Sequence, residues 1–598
     1  MSTEDVRAPA AGITPASADQ VKALRRALVR PHHRALAFAI AVVAVATALN
    51  LAGPALLGIA IDHGVRDANQ SVITKVALVY LFTAVTSPLL MSWGMRMTAI
   101  VGERALADLR SRTFRHVLDL PLATVERVGT GELLSRLTSD VEALSIAVRL
   151  AVPIFVTTAL LIVLTGGALL LISVPLALAA FALAGPLVWL GARRYLRKAP
   201  RLYGNERQRT ADAVSTLHEG LEGIDTVRTF GLEGMLRDRM AGRARATVAA
   251  YMATTKARNG LRPFITGGQY VSVIATLAMG AWLVAQGRLG VGEVTAASLY
   301  LARLFQPIEQ LLEQLDKLQS GRAALSRLAS VLALPVAPPA PPDAPALPER
   351  GDVEFRGVRF AYAKGHEVLH GVDLVIRPGE RLALVGPTGA GKSTIAKLLA
   401  GVHAPDAGEV ELGGVDLALA DPSTIRDVVV LVTQESHVFR GSVADNVRIV
   451  RPDADDADVA RALATVHALD RFENLPDGLQ TQVGIGGAHL SAGEAQQLGL
   501  ARVVLADPSI VVLDEATARL DPAGAAQVDI SLAAALAGRT TVVIAHRLDT
   551  AARADRVALV EGGRIVELGA HTDLLARGGR YADLWQRWAH HGPRVFDE

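Results

Sequence analysis

Residues 386–394 read GPTGAGKST, which fits the pattern G-x-x-x-x-G-K-[S/T]. The apolar run RLALV precedes this stretch at 381–385, and the helical pattern IAKLLAG follows it from residue 395. Glycines let the backbone point its N–H groups at phosphate oxygens, Lys392 adds a positive charge, and Ser393 offers a hydroxyl to Mg²⁺. The sequence therefore predicts a strand, a phosphate-binding loop and a helix in that order.

The composition points to a membrane protein with several domains. The chain has 598 residues, which is long for a single core, and 51% of them are hydrophobic, more than soluble proteins usually contain. The net charge of +2 gives no sign of a nucleic-acid partner, and we expect none. Because the chain has no cysteine, disulfides, thiolate metal sites and cysteine nucleophiles are excluded.

Long apolar stretches lie almost entirely before residue 310. A helix needs roughly 20 apolar residues to cross a bilayer. The uncharged stretch 150–192 is long enough for two crossings with a turn near residues 173–175. We therefore predict six crossings, from the stretches 35–61, 76–95, 150–192, 263–287 and the one that begins near 294.

The distribution of basic residues predicts the orientation of these helices. A cluster of basic residues lies just before the first crossing: Lys22, Arg25, Arg26, Arg30 and Arg34. Such an excess marks the cytoplasmic side, so we expect both termini in the cytoplasm and a multi-pass protein of the plasma (inner) membrane. The charged segments 96–149 and 193–262 are too long for turns. Each is predicted to be a pair of crossing helices that extend into the cytoplasm and are joined by a short cross-piece.

The domain boundaries follow from composition. Residues 1–20 are small and polar and are expected to form a disordered cytoplasmic tail, and residues 21–330 the six-helix transmembrane domain. The Pro-rich segment 331–350 reads as a linker. Residues 351–590 alternate strand and helix patterns, and 591–598 form a C-terminal tail. The predicted fold class is an all-α membrane domain followed by a cytosolic α/β domain.

Further polar residues end apolar runs in the second half. Asp514 ends SIVVLD at 509–514 and is followed by Glu515. An Asp at the carboxyl end of a strand can reach Mg²⁺ held by Ser393, and a neighbouring carboxylate can orient the attacking water, although acidic residues here also serve as helix caps. His546 ends TVVIAH and Gln434 lies in LVTQES, where each also fits an ordinary structural role.

The order of these motifs is similar to that in the nucleotide-binding domain of ABC transporters, a class of P-loop ATPases. Tyr362, GPTGAGKST, Gln434, LSAGE at 490–494, VVLDEA, Asp521 and His546 follow one another as in that family, over essentially all of residues 351–590. The membrane half resembles the six-helix exporter domain. Gly129–Leu144 and Glu219–Glu233 resemble its two cytoplasmic coupling regions.

The resemblance implies roles for residues of this chain. Tyr362 would stack on the adenine of ATP. Glu515 would polarise the attacking water, His546 would contact the γ-phosphate, and Gln434 would assist catalysis. Mg²⁺ would be held by Ser393, Gln434 and Asp514. Ser491 and Gly493 would bind ATP on a partner chain, so a dimer is required. The residues expected to bind nucleotide are Tyr362, Gly386, Pro387, Thr388, Gly389, Ala390, Gly391, Lys392, Ser393, Thr394, Ser491, Gly493 and Asp521.

Two segments depart from the family's pattern. The signature is usually LSGGQ, whereas this chain has Ala492 and Glu494, whose Cβ and charge are expected to disfavour a close phosphate. The preceding segment, usually TEVGERG, reads TQVGIGG, with Ile485 and Gly486 in place of a charged pair. An intact Glu515 beside a weakened signature favours a heterodimer with a second half-transporter over a homodimer that tolerates both changes.

The resemblance implies an ATPase that drives export of a drug, lipid, peptide or other small molecule. Two alternatives stay open: import of an iron–siderophore-like substrate on the same fold, and a mainly regulatory half that gates its partner. Arg303, Gln306 and Glu309 recur at helical spacing in the sixth crossing. They contact substrate in one interpretation and lie solvated at the cytoplasmic interface in the other.

Overall fold

The computed structural model describes residues 13–336, 344–363, 365–433, 436–514, 522–545 and 548–591. The chain divides into two compact units, residues 1–120 with 125–336, and residues 121–124 with 337–598. The first unit is helical, and the second combines helices with sheets. The predicted fold class, a helical membrane domain followed by an α/β domain, is confirmed.

Helices account for nearly all of the described part of the first unit. They are α1 Ala18–Val29, α2 His33–Ile59, α3 Gln70–Leu118, α4 Leu122–Val128, α5 Thr130–Ser135, α6 Val141–Ile146, α7 Val152–Ile172, α8 Val174–Glu222, α9 Ile224–Thr229, α10 Glu233–Asn259, α11 Arg262–Ala285 and α12 Val291–Leu332. Helix α1 begins inside the segment expected to be disordered, because Ser17 and Gln20 form a capping box at its start. Residues 1–12 lie outside the described residues.

Five helical segments of the described chain are long and apolar enough to cross a membrane: Ala18–Val65, Gln70–Leu118, Thr130–Ile172, Val174–Glu222 and Glu233–Ala285. The stretch 150–192 is interrupted at Ser173, whose backbone is extended at φ −164°, so α7 and α8 are separate helices as predicted. The sixth predicted crossing corresponds to α12, which is 42 residues long but is not among the five.

Short helices join the long ones at two places. Helix α9 lies between α8 and α10, within the predicted coupling region 219–233. The other cross-piece is α4, Leu122–Val128, rather than the predicted segment 129–144. Gly129, at φ +87°, starts the returning helix, so that segment belongs to the long helix instead. The positive φ at Gly129 sets this boundary, and the sequence pattern alone does not reveal it.

Helices α2 and α12 approach each other closely. A Cβ on Gly292 would lie 2.0 Å from the carbonyl oxygen of Gly58, so the two backbones are in contact. The Asp62 carboxylate accepts the backbone N–H of Gly292 at 2.9 Å and caps the start of α12. The Tyr300 hydroxyl donates to the carbonyl of Leu51 at 2.6 Å. These contacts fix α12 against the end of α2.

The second unit contains twelve described strands: β1 Val353–Ala363, β2 His366–Ile376, β3 Arg381–Val385, β4 Ala407–Leu412, β5 Val415–Asp416, β6 Val429–Val432, β7 Gly441–Ser442, β8 Gln482–Val483, β9 Ile510–Asp514, β10 Thr540–Ile544, β11 Arg556–Glu561 and β12 Arg564–Gly569. Its helices are α13 Lys392–Leu399, α14 Pro422–Val428, α15 Val443–Arg448, α16 Asp456–Thr465, α17 Leu469–Glu473, α18 Ala492–Ala506, α19 Pro522–Leu536, α20 Leu548–Ala552, α21 His571–Ala576 and α22 Arg580–His591.

Six strands form a sheet in the order β12-β11-β3-β10-β9-β6, all parallel except β12. An antiparallel sheet in the order β2-β1-β4-β5 packs with it around α13, and their shared core contains Phe355, Leu384 and Ile395. A separate core around Phe472 holds α15, α16, α18 and α19 together. The second unit is therefore a sheet subdomain with a helical subdomain attached.

Candidate functional site

The phosphate loop occupies the turn between β3 and α13, as the sequence predicts. Gly386, Pro387, Thr388, Gly389, Ala390 and Gly391 form the loop, and Lys392, Ser393 and Thr394 begin the helix. Gly386 has φ +151°, and a Cβ there would lie 2.0 Å from the carbonyl oxygen of Val560. Gly391 ends the loop at φ +105°. Only glycine fits these two backbone positions, so the turn is built into the sequence.

The Lys392 side chain points across the loop. Its ammonium group donates to the carbonyl oxygens of Gly386 at 2.8 Å and Pro387 at 3.0 Å, and the residue is only 6% exposed. The loop is fixed from behind, because the N–H of Gly563 donates to the carbonyl of Ala390. The start of α13 thus combines a fixed positive charge with the N–H groups of a helix N-terminus, which together attract an anion.

Tyr362 lies beside the start of α13. Its hydroxyl is 3.2 Å from the hydroxyl of Thr394, and its ring makes edge contacts with Phe360 and His403. The residue is nevertheless 46% exposed, so part of the ring is open. An aromatic ring held in this way offers a surface on which a flat base can stack.

Asp514 ends β9 at the same edge of the sheet from which the phosphate loop leaves. In the strand register Asp514 pairs with Ile544 on β10, and Ile544 pairs with Leu384 on β3. Neighbouring strands lie about 4.8 Å apart, which puts β9 about 10 Å from β3. Ser393 is exposed on the first turn of α13. The structure therefore brings the hydroxyl and the carboxylate to one edge of the sheet.

Four predicted site residues lie outside the described residues: Gln434, Glu515, Asp521 and His546. Glu515 directly follows the end of β9 at Asp514, and His546 lies two residues after the end of β10 at Ile544. Their roles stay predictions.

Ser491 and Gly493 lie at the start of α18, in the helical subdomain. Ser491 caps this helix, since its hydroxyl accepts the N–H of Glu494 at 3.2 Å. The Glu494 carboxylate accepts the N–H of Ser491 at 2.7 Å, which completes a capping box. The start of the signature segment is thus ordered by two side chains of the segment itself.

The charge of Glu494 is paired. Arg471 of α17 donates to its carboxylate at 2.5 Å, and the Glu494 side chain is 14% exposed. Burial raises the pKa of Glu494, but the hydrogen bonds from Ser491 and Arg471 outweigh burial and hold the pKa below its ordinary value. Glu494 was expected to place a negative charge at the signature, and the structure shows that the positive charge of Arg471 accompanies it.

Two residues of the site were not found from the sequence. Arg471 precedes its partner Glu494 by 23 residues, and His403 contacts Tyr362 across a gap of 41 residues. Neither residue belongs to a motif, so no local signal identifies it. Ile485, the other departure, is 86% exposed in the loop after β8.

Comparisons with known proteins agree with this architecture. A profile of the ABC transporter transmembrane region matches residues 36–308, and an ABC transporter profile matches residues 369–518. A solved structure of a bacterial Atm1-family ABC exporter with ATP bound superimposes with a TM-score of 0.74 at 28% identity, covering 95% of this chain and 99% of that chain.

Named relatives cover most of the chain. The multidrug efflux ATP-binding/permease protein of Mycobacterium bovis is 35% identical over 94% of this chain, which spans about half of that longer protein, 47% of its length. The mycobactin import ATP-binding/permease protein IrtB of Mycolicibacterium thermoresistibile is 37% identical over 74% of this chain and 76% of its own length. The chain therefore belongs to the ABC transporter family and joins that family's transmembrane region to its ATP-binding domain.

Proposed function

We propose that this chain binds and hydrolyses ATP and couples hydrolysis to export of a substrate across the membrane. The observation that carries the proposal is the phosphate loop, where the buried ammonium of Lys392 faces a helix N-terminus at the sheet edge that also carries Asp514. In this proposal Tyr362 stacks on adenine and Glu515 orients the attacking water.

The residues at this edge fit Mg²⁺. Ser393 and Asp514 supply a hydroxyl and a carboxylate, the hard oxygen ligands that Mg²⁺ prefers, and Gln434 is proposed to add a third. Within the described residues no group of three or more histidines and carboxylates forms a metal cage. A small number of protein oxygen ligands suits Mg²⁺, which keeps several waters and is also bound by nucleotide phosphates. When bound, the ion would neutralise charge on the phosphate oxygens.

The proposed domains are a transmembrane domain at 21–330 and an ATP-binding domain at 351–590, joined by the linker 331–350 and with both termini in the cytoplasm. The chain carries one signature segment, and α18 packs on α15, α16 and α19 of the helical subdomain. In the proposed assembly Ser491 and Gly493 meet ATP held by a second half-transporter. A heterodimer remains our proposal, because Ala492 and Ile485 depart from the usual pattern.

ATP hydrolysis by the purified full chain in nanodiscs tests this proposal. We expect little turnover by the chain alone and robust turnover once its partner is added, abolished by Glu515→Gln in this chain. Robust turnover without a partner, sensitive to Glu515→Gln, would refute the heterodimer. If Glu515→Gln leaves the turnover of the complete assembly unchanged, this chain is a regulatory half. Absence of ATP-dependent turnover from every assembly would refute the proposed activity.

Import is the second candidate, and one comparison favours it specifically. The relative named as a mycobactin importer has the highest identity of the proteins described above. Transport assays in vesicles of known orientation separate the two directions. ATP supplied on the side of the ATP-binding domain should drive substrate away from that side in an exporter and toward it in an importer.

A further inference from the structure

An apolar groove opens between α2, α3 and α12 in the membrane unit. Its volume is about 370 Å³, and its walls include Leu56 and Leu57 of α2, Ile73 and Val76 of α3, and Leu299 of α12. This volume lies within the range of small-molecule sites. Ile73 and Leu57 are 41% and 46% exposed, so the groove opens at the surface of the protomer.

A single charged residue reaches this groove. Arg303 of α12 is the one charged side chain among the described residues that line the groove, and Tyr80 of α3 also lines it. Arg303 forms no ion pair with another described residue. It follows Glu293 by ten residues, which is about 15 Å along the helix. With the membrane boundary taken at Glu293, near the start of α12, Arg303 lies inside a hydrocarbon core of about 30 Å.

The position of the groove distinguishes between the two sequence-based interpretations of Arg303. The groove also contains Ile73, close to the start of α3 at Gln70 and far from its end at Leu118. The guanidinium therefore lies in the half of the bundle where α2 finishes and α3 begins. In the orientation proposed above, with the N-terminus inside, this is the outer half of the membrane. A solvated position at the cytoplasmic interface does not fit this location.

A cation at this depth needs either a counter-charge or access to water. Ionised groups inside a membrane are costly unless they are paired or reach water, and the described walls of the groove provide no carboxylate. The Tyr80 ring also fits closely against α2, because a Cβ on Gly53 would lie 3.0 Å from it. The guanidinium of Arg303 and the phenol of Tyr80 can bind an acidic head group, and the apolar walls of the groove can bind the attached hydrocarbon tail.

We propose that this groove binds an anionic amphiphile, with its acidic head group on Arg303 and Tyr80 and its tail along α2 and α3, and that this is the class of molecule transported. The claim that the groove binds an anionic amphiphile does not depend on ATP hydrolysis. The claim that this molecule is transported rests on the proposed transport function.

Photoaffinity labelling of the full chain, with its partner where one is required, tests the binding. The probe is a palmitate analogue with a diazirine in its chain, used in phosphatidylcholine nanodiscs beside the matching uncharged alcohol. We expect palmitate to label peptides that contain Leu56 or Ile73. Arg303→Gln should lower this labelling about tenfold or more, since hydrogen bonds to charged groups are worth at least that factor. Arg303→Lys should retain most of it.

Arg322→Gln, on the same helix but outside the groove, is the matched control and should label like wild type. Equal labelling of wild type and Arg303→Gln would overturn the proposal, as would equal labelling by the acid and the alcohol. Should Arg303→Gln fail to fold, the comparison of acid with alcohol on the wild-type protein decides the matter, and Tyr80→Phe provides a second variant with weaker expected labelling.

A bilayer lipid is the competing occupant with the same chemistry. Palmitate should change the rate of ATP hydrolysis of wild type and of Arg322→Gln if the groove holds a transported molecule. Displacement of the probe by phosphatidylglycerol, together with no effect of palmitate on hydrolysis, would refute the transport half and assign the groove to a lipid. Specific labelling without ATP hydrolysis in any assembly would refute the proposed function while supporting the binding half.

Discussion

Replacing Arg471 by alanine tests how the signature segment accommodates its acidic residue. Arg471 donates to the Glu494 carboxylate at 2.5 Å, and its own side chain is 57% exposed. An ion pair this exposed contributes about 0.5–1 kcal/mol to stability, so Arg471→Ala should lower the thermal midpoint only slightly. Its larger effect is expected on nucleotide use, because the carboxylate at the proposed ATP interface loses its counter-charge.

The size of that effect follows from simple electrostatics. A charge repelling phosphate through solvent costs about 1 kcal/mol, which corresponds to about a fivefold rise in the apparent KM for ATP. Glu494→Gln in the Arg471→Ala background removes the charge and keeps the capping group, so it should restore the wild-type KM. Salt should also reduce the effect of Arg471→Ala.

The assay is ATP hydrolysis against ATP concentration for wild type, both single variants and the double variant, at low and high salt. An apparent KM of Arg471→Ala equal to that of wild type at low salt would refute this explanation. A double variant with an apparent KM as high as that of Arg471→Ala would also refute it.

The pH dependence of stability provides a separate check on the same pair. Because the folded pKa of Glu494 lies below its ordinary value of 4.5, the carboxylate stabilises the fold above pH 4.5. This contribution is lost as the pH falls through the lowered pKa. The stability advantage of wild type over Glu494→Gln should therefore shrink below pH 4.5, as measured by thermal unfolding across a pH series. An advantage that grows on acidification would contradict the assignment.

Three further substitutions have effects that follow from close contacts. Gly386→Ala places a Cβ 2.0 Å from the carbonyl oxygen of Val560. It should lower the free energy of unfolding by about 1–3 kcal/mol, measured by thermal unfolding, and should also weaken ATP binding. Lys392→Ala removes the ammonium at the phosphate loop and should lower ATP hydrolysis by about a hundredfold or more, with little change in the thermal midpoint. Gly292→Ala should force α12 away from Gly58, lower the thermal midpoint of the full chain and leave ATP binding intact.

Local sequence patterns predicted those parts of the fold that depend on residues close together in the sequence. The phosphate loop lies where its glycines and flanking strand and helix predict it. The helix break at Ser173 was predicted because an uncharged stretch of that length cannot be one crossing. The cross-piece at Leu122–Val128 was misplaced, since its helical residues look like those of the helices on either side and only the backbone of Gly129 separates them.

Pairs of residues far apart in the sequence could not be predicted in this way. Arg471 stands in an unremarkable short helix, and nothing in its neighbourhood indicates a contact with Glu494. The groove around Arg303 is likewise formed by three helices, α2, α3 and α12, and its charged residue lies on α12. Helical spacing left two interpretations of Arg303 open, substrate contact and solvation at the cytoplasmic interface, and only the packing of α2 and α3 shows that its surroundings are apolar.

The contact between Arg471 and Glu494 changes the argument for an asymmetric transporter. Two substitutions in the signature, Ala492 and Glu494, favoured a heterodimer. The paired and capped carboxylate of Glu494 is a stable local arrangement, so it no longer counts strongly as a sign of a degenerate site. Ala492 remains, exposed on the first turn of α18, where a Cβ meets whatever approaches the helix N-terminus. The methyl group of Ala492 acts only on groups in direct contact with it, whereas the charge of Glu494 acts at a distance. The case for a heterodimer therefore depends mainly on how closely ATP must approach Ala492.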